Sequence, residues 1–165
     1  MEGLMMRGLS IFAGGILVGL AVQMALAQNE NRNLVNLNHV GIAVPDIGAA
    51  IAYYTGTLGF QEAFRVENDN GDIALVYVQV SENTFVELQP VNANRPAGLN
   101  HFGVHVNDME SAIDMFRQRG ADVQDSRLSS SGAVLSNIID PNGIRMELSE
   151  LPSESLHRQA MDRWD

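Results

Sequence analysis

The chain has 165 residues, 45 % of them hydrophobic, with 20 acidic against 10 basic side chains and a formal charge of −10. That length suits one domain with a real core. The acidity leaves no basic stripe to neutralise phosphates, so nucleic acid is not an expected partner. Polyanionic substrates are disfavoured too, unless Arg65, Arg95, Arg127 or Arg145 gather locally. There is no cysteine, which excludes disulfides, a thiol nucleophile and thiolate metal sites. Any metal must then be held by nitrogen and oxygen.

In chain order, Arg7 precedes an apolar run from Leu9 to about Met24, and Ala25-Leu26-Ala27 gives a small-x-small pattern before Gln28. Residues 1–27 therefore read as a secretory signal peptide cleaved after Ala27. The alternative is an uncleaved anchor, since the run approaches the ~20 residues that span a bilayer. Either way the folded part is expected outside the cytoplasm, periplasmic or secreted. A membrane is a partner only if the segment stays attached. Residues 28–36 are polar and read as a linker.

Residues 38–44 alternate, with Val40, Ile42 and Val44 on one face and His39, Gly41 and Ala43 on the other, which predicts a strand. Pro45-Asp46 starts a helix expected to run through about Leu58, where Gly59 stops it. Strands follow at 61–67, 73–80 and 84–89, separated by the turn signals Asn68-Asp69-Asn70-Gly71 and Ser81-Glu82-Asn83. A strand at 100–106 and a helix at 108–118 come next, the helix with Met109, Ala112, Ile113 and Phe116 inward. Further strands are expected near 122–128, 133–139 and 144–149, with a tight turn at Asp140-Pro141-Asn142-Gly143. A tail, 151–165, places Leu156, Ala160 and Trp164 on one helical stripe; it is expected to dock on the domain or on a second subunit. His157 in that tail reads as a surface residue.

The order is βαβββ twice, and the sequence itself repeats. A shift of 62 positions aligns 37–54 with 99–116, with eight identities in eighteen positions. The fold class is therefore α+β, with two βαβββ modules (37–90 and 99–150) forming curved sheets around a cleft, helices outside. Strand parity puts four repeated polar groups on the cleft side: His39 and Glu87 from one module, His101 and Glu147 from the other. Two buried carboxylates on one concave face repel unless a cation joins them. A lone strand His is more often a hydrogen-bonded core residue and a lone strand Glu more often solvated, but the matched parity in both copies favours a shared divalent metal. His105, Arg145, Gln89, Phe85 and Tyr77 share the cleft parity and are candidate substrate contacts. Arg145 is the best partner for a substrate carboxylate.

The motifs Asn38-His39-Val40-Gly41, Tyr53-Tyr54-Thr55-Gly56-Thr57-Leu58-Gly59-Phe60, Asn100-His101-Phe102-Gly103 and Asp140-Pro141-Asn142-Gly143 with Met146-Glu147-Leu148 resemble the vicinal oxygen chelate superfamily, which includes glyoxalase I and methylmalonyl-CoA epimerase. The resemblance covers residues 37–150. It implies one divalent metal per site on His39, Glu87, His101 and Glu147, with Zn, Ni, Co, Mn and Fe(II) all suited to such donors. It further implies a small carbonyl or vicinal-oxygen substrate, and a lyase or isomerase that removes the proton α to the carbonyl. Glu147 is the expected general base and Glu87 its counterpart on the opposite proton face. Homodimers are common in such proteins. Ala43 stands where bacterial glyoxalase I carries an arginine for the glutathione carboxylate, and His105 stands at the matching place in the second module. That departure argues against a glutathione hemithioacetal. The alternatives are an extradiol-type dioxygenase, against which a fourth protein ligand argues, and a metal-free module that sequesters a small molecule, against which the intact ligand set argues.

Overall fold

The computed structural model describes Asn33 to Trp164, together with Ile16, Val18 and Gly19. Those three are helical; otherwise the expected signal segment lies outside the described residues. The expected linker is shorter than its polarity implies, because β1 (Leu34–Val44) already begins at Leu34. Residues 34–36 are drawn into it by pairing with β5 (Gly98–Val106), Leu34 opposite Val106 and Asn36 opposite His105.

After β1 come α1 (Ile47–Ala52), a π-helical turn (Tyr53–Thr57), β2 (Gln61–Glu67), β3 (Ile73–Ser81) and β4 (Thr84–Pro90). The second module has β5, α2 (Met109–Gln118), β6 (Arg127–Leu128), β7 (Val134–Ile139) and β8 (Arg145–Glu150), and α3 (Leu156–Asp162) follows. The repeated aspartates start the repeated helices. Asp46 accepts from the Ala49 amide at 2.9 Å and Asp108 from the Ser111 amide at 2.7 Å, each satisfying an otherwise orphaned first-turn donor.

Two expected elements are shorter than the pattern suggests. The first helix widens after Ala52, with the Leu58 amide bonding to the Tyr53 carbonyl and the Phe60 amide to the Tyr54 carbonyl. This places Tyr54 against Phe60 in the apolar cluster beneath α1. The strand expected at 122–128 survives only as Arg127–Leu128, with a bridge between Val123 and Ile138. Side chains substitute for the ladder there. Arg117 donates to the Val123 carbonyl at 2.8 Å and Ser136 to the Gln124 carbonyl at 2.7 Å.

The two modules do not form separate sheets. Their strands make one sheet in the order β2-β3-β4-β1-β5-β8-β7-β6. β1 runs parallel to β4 and antiparallel to β5, and β5 runs parallel to β8, so a pseudo-two-fold axis passes between β1 and β5. Side chains alternate between the two faces. The outer faces carry apolar clusters: Val76, Val78 and Leu88 under α1, and Met109, Ala112, Ile113, Val106 and Leu148 under α2. Leu88 and Leu148 hold matching places in the two copies and are fully buried, each worth roughly 1.5–3 kcal/mol on transfer from water.

α3 docks on this same chain. Ala160 and Met161 pack with Tyr77, Phe85, Ala133, Leu135 and Leu151 on the concave side. The buried stripe is His157, Ala160 and Met161, not Leu156, Ala160 and Trp164. His157 is therefore no surface residue. It is 2 % exposed, with its ring edge-on to Tyr77 at 4.4 Å, Phe64 at 4.7 Å and Phe85 at 5.7 Å. The helix meets an aromatic concave face, so the flat imidazole is accepted where the outer face takes aliphatic side chains. Burial drives its pKa down to about 3, with the charge of His39 acting in the same direction.

Candidate metal centre

His39 and His101 stand diagonally across the β1–β5 pairing, His39 opposite Gly103 and His101 opposite Gly41. A Cβ on Gly41 would overlap the His101 ring, and one on Gly103 would overlap the His39 ring. Each His-x-Gly therefore supplies one imidazole and the space for the other module's imidazole. The register slips by one residue at Asn38 and again at Asn100. These two bulges turn each asparagine toward its neighbouring histidine. His39 Nδ1 lies 3.0 Å from Asn38 Oδ1, and His101 Nδ1 lies 2.9 Å from Asn100 Oδ1. An imidazole that donates through Nδ1 presents a lone pair at Nε2, the form a metal needs.

The Nε2 atoms of His39 and His101 are 3.0 Å apart. Glu87 Oε2 is 3.0 Å from His101 Nε2 and 4.0 Å from His39 Nε2, and Glu147 Oε1 is 3.4 Å from His39 Nε2. Donors at about 2.1 Å from one ion lie about 3 Å apart when at right angles and about 4.2 Å apart when opposed. The observed separations match that pattern. His39, Glu87 and His101, all buried, offer donor atoms within 4.8 Å of one another. Glu87 is 3 % exposed, and its Oε2 has no hydrogen-bond partner. A buried carboxylate oxygen facing two imidazole nitrogens is costly unless a cation or proton lies between them. The residues present fit a divalent ion held by nitrogen and oxygen.

The two carboxylates are supported differently. Glu87 Oε1 accepts from Gln89 Nε2 at 2.7 Å. Glu147 Oε2 instead lies 3.5 Å from Arg145 Nη1 and 3.8 Å from Arg127 Nη2. Burial pushes the Glu147 carboxyl upward, but the hydrogen bond and charge of His39, with the charges of His101 and Arg145, outweigh it and hold the pKa below the ordinary value. Burial pushes the Tyr77 phenol well up, reinforced by Glu87, to which it hydrogen-bonds, and by Glu147. The Tyr77 ring stands edge-on to His39 at 5.5 Å.

A cavity of about 140 Å³ opens beside these groups, lined by Glu87, Glu147, Tyr77, Gln89, Arg127 and Arg145, with Leu75, Leu135 and Ser129 to Ser131 completing it. Next to it runs an open polar groove of about 400 Å³, walled by Gln89, Asn92, Asn94, Arg95, Asn100 and Arg145. Three of the four arginines considered at the outset thus gather at the mouth. The fourth, Arg65, pairs with Glu62 at 2.7 Å on the exposed side of β2.

Of the expected contacts, Tyr77, Gln89 and Arg145 line the cavity. Phe85 sits opposite His39 on β4 but packs under α3. His105 shares the concave face, yet four residues along a strand is about 13 Å. It is 5 % exposed and does not line the cavity; burial and Arg158 lower its pKa. Parity alone missed the supporting roles of Asn38, Asn100, Gly41 and Gly103, although the doubled Asn-His-x-Gly carries their signal. Arg127, which also lines the cavity, carries no sequence signal beyond its charge.

Residues 38–133, more than half of the chain, match the family model described as the glyoxalase/bleomycin resistance protein/dioxygenase superfamily. An ethylmalonyl-CoA/methylmalonyl-CoA epimerase of Cereibacter sphaeroides is 28 % identical over 130 residues, covering 70 % of this chain and 97 % of that protein. The human mitochondrial methylmalonyl-CoA epimerase is 30 % identical over 91 residues, 49 % of this chain and 52 % of the relative. The crystal structure of methylmalonyl-CoA epimerase from Mycobacterium tuberculosis shares the fold, with a TM-score of 0.63 at 23 % identity over 72 % of this chain and 89 % of that one. The repeated strand-borne histidines, the shared curved sheet and the family match agree: the chain belongs to the glyoxalase/bleomycin resistance protein/dioxygenase superfamily.

Proposed function

We propose that the protein is an exported, divalent-metal-dependent isomerase or lyase of the epimerase type, which removes and returns a proton α to a carbonyl. One observation carries this reading. Two buried carboxylates, one from each module, flank a close pair of imidazoles beside a small cavity. The relatives named as epimerases of CoA thioesters support the same reaction class.

In this reading His39, Glu87, His101 and Glu147 hold the ion. A divalent ion there would supply a Lewis acid for the substrate carbonyl oxygen. Glu147 takes the α-proton: it stays ionised in its surroundings and lines the cavity. Glu87, approached by Tyr77 and Gln89, serves the opposite face of the planar carbon and so permits inversion. Arg127 and Arg145 sit where a substrate carboxylate would meet them, and a bidentate guanidinium contact would fix its orientation. Gln89 and Tyr77 complete the set of substrate-side residues. A homodimer is part of the same proposal.

The test is solvent hydrogen exchange at the α-carbon in deuterated water. The probes are methylmalonyl-CoA, a small α-hydroxycarbonyl compound and catechol. Metal-dependent exchange on either carbonyl probe supports the reading. Oxygen uptake with catechol on an iron-loaded sample, without exchange, would replace it with the dioxygenase.

A further inference from the structure

His101 Nδ1 has two suitors. Asn100 Oδ1 at 2.9 Å accepts and requires a proton on Nδ1. Arg145 Nη2 at 2.6 Å donates and requires a bare Nδ1. One nitrogen cannot meet both demands. If Arg145 donates, the ring proton sits on Nε2, which is 3.0 Å from both His39 Nε2 and Glu87 Oε2. His39 accepts there, because its own Nδ1 proton goes to Asn38 Oδ1 at 3.0 Å, and Asn38 in turn donates to the Asn83 carbonyl at 3.2 Å. The result is a run of hydrogen bonds from Arg145 through His101 and His39 to Asn38, with Glu87 Oε2 a second acceptor for the His101 proton and no ion required. It closes the site, since a protonated Nε2 has no lone pair for a metal. The other module has no such competitor. At the position that matches Arg145, two residues before the glutamate, it carries Phe85.

We infer that Arg145 is a positioning residue that holds His101 in its metal-excluding tautomer, so that a divalent ion binds only by shifting that proton to Nδ1 and displacing the guanidinium toward the groove. This rests on the metal-centre reading and adds how the centre is regulated. Room for the displaced arm exists, because Arg145 already borders both the cavity and the groove. Its remaining partners there are Asn100, Asn137 and Glu147. The loaded form would then present a freed guanidinium to a substrate carboxylate. A carboxylate that engages Arg145 in turn favours loading, as linkage requires.

Two measurements test it. In metal-free protein, the ring nitrogen shifts of His101, assigned against His101→Asn, should show the proton on Nε2; those of His39 should show it on Nδ1. In Arg145→Met the His101 proton should move to Nδ1. Titration with zinc should show Arg145→Met binding 10- to 100-fold more tightly than the unmodified chain, the range expected for a change behind a ligand. Arg145→Lys, which keeps a donor, should return the affinity toward the unmodified value. A proton on His101 Nδ1 in the unmodified metal-free chain overturns the inference, as does equal zinc affinity in Arg145→Met. Absence of zinc binding in both chains has a different meaning: it removes the metal-centre reading itself, and this inference with it. The shift measurement on the unmodified chain stands even if the variant fails to fold.

Discussion

The two halves of the cleft share a backbone plan but differ in chemistry. At matching positions the first module has Phe85, Gln89, Tyr77 and Ala43, and the second has Arg145, Ser149, Asn137 and His105. The first half is aromatic and holds its carboxylate through a neutral amide. The second is polar and holds its carboxylate against two guanidiniums. What the halves keep in common is Asn-His-x-Gly and the closing glutamate. Duplication thus supplied one histidine and one glutamate from each module, and divergence of the surrounding residues gave each glutamate its own environment.

The largest expected effect breaks the shared part. Gly103→Ala adds a methyl group where the His39 ring lies, and Gly41→Ala one where the His101 ring lies. Each should weaken metal binding more than 100-fold, and each should cost about 1–3 kcal/mol of stability from overpacking. Titration calorimetry and urea unfolding would show both. Next comes the pair Glu147→Gln and Glu87→Gln. Either should lower α-proton exchange by roughly 10²–10⁴-fold, with Glu147→Gln abolishing exchange of one substrate enantiomer and Glu87→Gln of the other. Equal losses on both enantiomers would place the two carboxylates in one role. Asn38→Ala and Asn100→Ala should each reduce metal affinity by about 10–100-fold while circular dichroism stays unchanged.

The smallest effect concerns the aromatic half alone. Folded His157 titrates at about 3, whereas an unfolded histidine titrates near 6.5. Between these values the unfolded chain binds the extra proton, so stability falls as pH drops from about 6.5 toward about 3, by up to about 1.4 kcal/mol per pH unit. Above that window the ring is neutral in both states and contributes no slope. The charges of His39 and His105 oppose protonation, while Glu147 favours it. His157→Phe should remove this component and leave the variant about 2 kcal/mol ahead at pH 5 relative to its difference at pH 8. Urea midpoints at the two values would read it.

The repeat made much of this legible in advance. The shift of 62 residues located both histidines, and strand alternation then gave the correct face for all four ligand candidates. Alternation failed where the strands are irregular. It could not reveal that bulges at Asn38 and Asn100 bring those side chains round to the imidazoles, because a bulge breaks the period on which the inference depends. His157 escaped for another reason. Its burial is decided by the aromatic surface that α3 meets, a property of residues some 70–90 positions earlier in the chain. Arg145 was placed at the cleft by parity, but its engagement with Asn100 and His101 depends on distances that no spacing rule supplies.

In the proposed centre two copies close their imidazoles and carboxylates on one cation, each imidazole through space provided by the other module's glycine. Metal content of purified protein after zinc loading, for the unmodified chain beside Gly103→Ala, tests it most directly, because Gly103 offers no donor of its own. One ion per chain is expected in the first and none in the second, with the fold retained. One ion in both, or none in either, would contradict it.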